Sequence, residues 1–251
     1  MAKYKKLFFA GFASLFCWLN IIAAHIAQGQ DPQMSNTNIT IVGFGDSITQ
    51  AVVGMPDENK RWLNILKEKL SAHFKEHRFT VINSGIGGNS AREAMARFEK
   101  DVVAKDPDFV ILEFGGNNND IANPARIVSL KEFKTLLDKY KQDLPAKTKT
   151  IIVTFPPDLD DLHASGKNPA FAEHLRQSGG IDKSLEPYRA ITREFAKSNG
   201  FPVYDFYREL LALGKANGRM TYTMNDGVHL TAQGNLTLAE GVFDILKFML
   251  K

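Results

Sequence analysis

Past residue 38 the chain alternates short apolar runs with longer amphipathic ones. The runs Thr40–Phe44, Phe79–Asn83, Phe109–Phe114, Thr150–Phe155 and Pro202–Tyr204 are rich in Val, Ile and Phe, as strands buried on both faces tend to be. Between them, helical spacing runs through RWLNILKEKLSAHF, SAREAMARFEKDVVA, LKEFKTLLDKYKQDL and LEPYRAITREFAKS; a last helix, TAQGNLTLAEGVFDILKFML, closes the sequence. Trp62, Leu63, Leu66, Leu70 and Phe74 recur every three or four residues, so this stripe packs on the sheet. The alternation predicts an α/β fold, a three-layer α/β/α sandwich around a mainly parallel five-stranded sheet. Such folds bind ligands outside the carboxyl ends of their strands. GDS, GIGGNS, GGNNND and PPDLDDLH each follow one of the first four predicted strands. One long irregular stretch, residues 156–183, holds Asp158, Asp160, Asp161, His163, His174 and Arg176, and loops of that length are usually functional or disordered.

The 251 residues suffice for one large domain with a buried core, and no composition break demands two. Lys3, Lys5 and Lys6 precede the apolar run 7–24, and Ala27-Gln28-Gly29 offers small residues at a cleavage site. Residues 1–29 therefore read as a secretory signal peptide, 30–38 as a polar tether and 39–251 as the domain. Left uncleaved, 7–24 is a membrane anchor near the lower length limit for a span. Cleavage removes three lysines and no acid, turning a formal charge of +3 into a neutral domain. Such a domain has no electrostatic footprint for nucleic acid or an anionic membrane. The only cysteine, Cys17, falls inside the leader, and Ser14-Leu15-Phe16 before it does not resemble a lipoprotein acylation site.

A serine hydroxyl is a poor nucleophile unless a base takes its proton and a third group orients the base. Ser47 in GDS is either such a nucleophile or the cap of the next helix. Its candidate partners are Asp226 and His229 in DGVH: three residues apart on a helix-like turn, they share a face. The bland reading makes Asp226 the cap of the final helix. Acyl transfer also needs donors aimed at an oxyanion. Gly88 in NSGIGGNS, Asn117 in FGGNNND and the Ser47 amide are candidates, although the glycines also suit tight turns and the asparagines Asx-turns. Singly, each local reading competes well. Jointly, Ser, Gly, Asn and Asp-x-x-His in this order, each at the end of a separate element, are hard to explain as capping.

These blocks resemble the SGNH hydrolases, also called the GDSL esterase/lipase family, from Ile41 to about Asp244. The resemblance implies a flavodoxin-like SGNH hydrolase fold and a serine ester hydrolase without metal or organic cofactor. It makes Ser47 the nucleophile, His229 the base, Asp226 the orienting acid, and Ser47, Gly88 and Asn117 the oxyanion hole. One departure stands out: where the family's third block continues Asn-Asp, this chain has Asn118 after Asn117. Either an amide replaces the acid, or the loop has shifted to put Asn119-Asp120 in its place; Gly115 and Gly116 directly before Asn117 favour the first.

Within the family, lipids, lysophospholipids, thioesters, aryl esters and acetylated sugars are all possible substrates. The polar 156–183 loop, and the likeness of GNSAR to rhamnogalacturonan acetylesterases, favour acetyl esters of carbohydrates, with a small molecule or oligosaccharide as the partner. Three other readings compete. GIGGNS after a strand resembles a dinucleotide fingerprint, but Ser90 takes the last glycine's place and the strand is the second. Asp158, Asp160, Asp161 and His163 are a candidate metal set, but their spacing fits no zinc motif. A binding-only carbohydrate protein would have no reason to keep every catalytic candidate.

Overall fold

The computed structural model describes residues 37–251; the expected signal peptide, and the tether up to residue 36, lie outside them. Five strands form one sheet: β1 (Thr37–Gly45), β2 (His77–Gly85), β3 (Phe109–Glu113), β4 (Lys149–Val153) and β5 (Val203–Tyr204). Their order is β2-β1-β3-β4-β5 and every pairing is parallel. β1 begins at Thr37, taking Thr37 and Asn38 from the expected tether.

Helices cover both faces because the three central strands, β1, β3 and β4, bury both, whereas the edge strands β2 and β5 stay largely half-exposed. Ile39 and Ile41 of β1 join the side packed by α2 (Trp62–His73), α8 (Phe206–Asn217) and α9 (Ala232–Met249). Val42 and Phe44 join the other, packed by α3 (Ala91–Met95), α4 (Phe98–Asp101), α5 (Leu130–Asp143) and α7 (Ile181–Asn199). Two shorter helices lie at the carboxyl ends of the strands or in the long insertion: α1 (Ser47–Gln50) and α6 (Ala172–Ser178). The predicted stripe Trp62, Leu63, Leu66, Leu70 and Phe74 is buried in the first face.

The elements differ from expectation in four places, the first being α6, which forms inside the stretch 156–183 expected to be irregular. The continuous helix expected over 90–104 breaks at Arg97, whose guanidinium donates to the carbonyls of Ser84 (2.7 Å) and Gly45 (3.0 Å) and to Asn89 Oδ1 (2.8 Å), and stacks 4.5 Å from the Phe44 ring. Those bonds clamp β1 to β2 at the end where the site lies. α8 was not expected, although Asp205 caps it and Phe206 and Leu210 give it an apolar face. α7 starts four residues earlier than expected, because Gly179 and Gly180 adopt positive φ between α6 and α7.

Arg189 of α7 is wholly buried. It donates to the Pro156 carbonyl (2.9 Å) and to Asp182 Oδ1 (2.6 Å), between the rings of Phe155 and Tyr207, 4.2 and 3.9 Å from its guanidinium carbon. It thereby fixes the backbone that leaves β4. Arg189→Ala is expected to cost about 3–5 kcal/mol of unfolding free energy, since it strands buried acceptors and a carboxylate. Arg176→Ala, which breaks only the exposed pair with Glu173, should cost below about 1 kcal/mol. Urea denaturation of both variants measures the difference.

Candidate functional site

The chain leaves β1 at Gly45, where any side chain would strike the Thr49 hydroxyl and the Glu113 carbonyl. Asp46, 2% exposed, caps α1 by accepting from the Ile48 N–H at 2.9 Å. Ser47 is therefore the first residue of the helix and not its cap. Its hydroxyl makes no hydrogen bond to any described residue, and it lines a small cavity with Asn117 and Val228. From behind, Trp62 Nε1 donates to the Ile48 carbonyl at 3.1 Å, anchoring α1 to the core.

Asn117 follows β3, the strand beside β1, so the pair flanks the point where strand order reverses, the usual ligand crevice of such sheets. Its Nδ2 donates to Asp46 Oδ2 (3.0 Å) and to the Asn89 carbonyl (3.3 Å), joining the loops after β1, β2 and β3. Gly88, just before Asn89, has φ +77°, and a side chain there would meet the Arg126 guanidinium. Gly88 does not line the Ser47 cavity; a side chain at neighbouring Gly87 would come into van der Waals contact with Ser47. Asn118 is wholly buried, and its Oδ1 accepts from the first N–H of α3, Ala91, at 2.9 Å. Asn119 donates to Ser184, and Asp120 pairs with Arg126. Of the asparagines in this loop, Asn117 lines the Ser47 cavity and Asn119 does not. In the second loop Ser90 caps α3 in a reciprocal arrangement with Glu93, a capping role where a dinucleotide fingerprint has glycine.

Asp226 and His229 meet, but not on a helical turn. Gly227 has φ +80°, the Met224 N–H donates to the His229 carbonyl (2.8 Å), and Thr231 caps α9. Asp226 Oδ1 accepts from the Val228 and His229 N–H groups at 2.9 and 3.0 Å, while Oδ2 lies 2.7 Å from His229 Nδ1. Burial works to raise the Asp226 carboxyl, but these bonds overcome it and hold it below the ordinary carboxylate range. His229 Nε2 has no partner among the described residues. No hydrogen bond joins it to Ser47; in unliganded sites such bonds are often long and tighten on substrate.

Residues 44–236 match the GDSL-like lipase/acylhydrolase family. The chain belongs to this family. The uncharacterized lipoprotein YqeF of Bacillus subtilis is 27% identical over 222 residues, 81% of this chain and 88% of the relative. An acetylxylan esterase of Geobacillus stearothermophilus is 35% identical over 86 residues, 33% of this chain and 38% of the relative. The solved Axe2 variant, an acetyl xylan esterase from the same organism, superposes with a TM-score of 0.65 at 20% identity, over 84% of this chain and 96% of that one. At that identity it attests the fold alone. No helix among the described residues is long and apolar enough to cross a membrane.

In this GDSL-like hydrolase, buried acids flank the serine. Glu113, 1% exposed, ends β3; burial raises it well above the usual range and the Asp46 charge raises it further, while Thr49 donates to its Oε2 at 3.0 Å. Burial also raises Asp46, but the Ile48 N–H, Glu113, His229 and Asn117 pull it back to about 6. Burial and the neighbouring charge thus favour the protonated form of Glu113, while the donors around Asp46, the Asn117 amide among them, favour its carboxylate. Sequence reading passed over both as site residues; the signal for Glu113 was an acid inside the apolar run VILEF.

The acids of the 156–183 loop separate. Asp160 accepts from the Asp182 N–H, Asp161 pairs with Arg219, and only Asp158 and His163 reach the Ser47 cavity. Among the described residues no three His, Cys, Asp or Glu side chains are grouped to hold a metal. His174 and Arg176 line neither that cavity nor its neighbour. Burial keeps His163 below the ordinary histidine value. Burial also pushes Asp158 up to about 8 against the nearby Arg189 charge, with Asp182, Asp160 and Asp46 adding repulsion. The unfolded carboxyl loses its proton near 3.8, so between that pH and 8 the native state binds more protons and stability falls as pH rises. Asp158→Asn removes this dependence. Its melting temperature should equal wild type at pH 3.5 and exceed it progressively up to pH 8; a pH-independent difference would contradict the assignment.

Proposed function

We propose that this GDSL-like hydrolase is an exported serine esterase that removes short acyl groups, chiefly acetyl, from carbohydrate esters. Ser47 is the nucleophile, His229 its base and Asp226 the acid that fixes the base. The observation that carries this reading is the 2.7 Å contact between Asp226 and His229 Nδ1, on a loop whose Val228 shares a cavity with Ser47. With Nδ1 engaged, Nε2 is the nitrogen left to take the serine proton.

In the first step Ser47 Oγ bonds to the ester carbonyl carbon as its proton passes to His229 Nε2. The Ser47 amide and the Asn117 side chain, the latter exchanging its 3.3 Å bond to the Asn89 carbonyl for the oxyanion, stabilise the developing charge, while Gly88, which does not line the cavity, is assigned as a third donor by resemblance alone; collapse breaks the bond to the alcohol oxygen, which leaves with that proton. Water then attacks the acyl-serine, giving one proton to His229, and collapse returns it to Ser47 and frees the acid. Asp226 stays ionised throughout and stabilises the imidazolium.

The cavity at Ser47, about 60 Å³, is well under the roughly 150 Å³ that holds a six-membered ring, which supports a small acyl group. Export is supported by the basic and apolar leader and by the likeness to a bacterial lipoprotein. A longer acyl chain is favoured by one observation: Val52, Val53 and Ile86, close in sequence to the serine and glycine loops, are exposed.

A p-nitrophenyl ester series from acetyl to palmitoyl separates these readings. Acetyl should be the best substrate, Ser47→Ala should be inactive, and Asn117→Ala should lose on the order of a hundredfold to a thousandfold in kcat. A preference for palmitoyl would overturn the acetyl assignment, and equal inertness of wild type and Ser47→Ala on all esters, acetylated polysaccharide included, would favour a binding-only protein.

A further inference from the structure

Two cavities adjoin at the strand ends, and Gly116, Asn117, Asp158 and His163 line both. The smaller holds Ser47. The larger, about 190 Å³, exceeds the roughly 150 Å³ that accommodates a six-membered ring and falls short of the 300–1,000 Å³ typical of clefts for larger ligands.

The shared wall carries two polar groups without partners. No described residue donates to the Asp158 carboxyl, whereas Asp160, Asp161 and Asp182 around it each accept at least one hydrogen bond. Asp158 keeps its proton up to a pH of about 8, so at neutral pH it both donates and accepts. His163 Nδ1 accepts from the Ser165 N–H at 3.1 Å, which puts the proton of the neutral ring on Nε2, where no described residue accepts it. Polar groups withdrawn from bulk water are costly until something bonds them. Neither cavity is lined by Lys or Arg, so a carboxylate or phosphate finds no counter-charge, while Leu175 and Ile181 give the larger one an apolar side. A group with adjacent hydroxyls on one edge and C–H bonds on its face meets all of these demands.

We propose that the larger cavity seats the alcohol half of the ester, a neutral polyhydroxylated six-membered ring, and that Asp158 and His163 select it by bonding adjacent hydroxyls. This rests on the reading of Ser47 as nucleophile. The carbonyl then lies over Ser47 with its small acyl group in the smaller cavity, and the ring departs through the larger one.

The test compares mono-acetylated methyl xyloside with ethyl acetate, and separately titrates methyl xyloside into Ser47→Ala protein by calorimetry. In Asp158→Leu and in His163→Phe, kcat/KM for the sugar ester should fall at least about tenfold relative to that for ethyl acetate, the scale of one lost hydrogen bond, with the change mainly in KM. Asp158→Asn, which still donates and accepts, should keep the ratio within about threefold. Methyl xyloside should bind Ser47→Ala saturably, and adding Asp158→Leu should abolish that binding. An unchanged ratio in folded Leu and Phe variants, or absence of saturable binding, overturns the proposal. Hydrolysis that survives Ser47→Ala overturns the nucleophile instead, while the binding arm still judges the cavity.

Discussion

The buried carboxylate of Asp46 is the contact on which the rest of the site depends. Its two oxygens are divided between the first turn of α1, through the Ile48 N–H, and the loop after β3, through Asn117. One side chain thus sets both where the serine emerges and where the amide beside it points. Such a charge needs partners to persist in the interior, and it has two donors, with the Ile48 N–H on one oxygen and the Asn117 amide on the other. Arg97 completes the frame by gripping the Gly45 and Ser84 carbonyls, so the ends of β1 and β2 hold still beneath the loops.

Much of this was legible in the chain. All five strands were read within three residues of their observed starts; the central three, buried on both faces, leave an apolar run that is hard to mistake. The Asp226–His229 pairing was legible too, since three-residue spacing with an intervening glycine brings the side chains together. The route was different: a helical turn was expected, and a glycine with positive φ makes a tight non-helical loop. Long-range polar contacts were not legible. Nothing local marks Arg97 as an inward-turned residue that breaks a helix, Arg189 as a wholly buried cation, or Asp46 as the acceptor for an asparagine 71 positions away. α8 was missed although Asp205 and the apolar spacing after it were there to be read.

The third block holds together through its own asparagines. Asn118 stands where the resemblance led to the expectation of an aspartate, and its amide oxygen accepts the first N–H of α3. Its Nδ2 is left buried without a partner, a cost that a carboxylate in the same place would replace with that of a buried charge. Asn118 thus serves α3, while the neighbouring Asn117 is bonded to Asp46 and the Asn89 carbonyl.

The central claim is that Ser47, alone among the hydroxyls of this GDSL-like hydrolase, is activated. Treating the protein with a fluorophosphonate and sequencing its peptides by mass spectrometry tests this most directly. One phosphonyl group on Ser47, absent after His229→Ala, is the predicted result. Labelling of another residue, or of Ser47 equally well without His229, would contradict it.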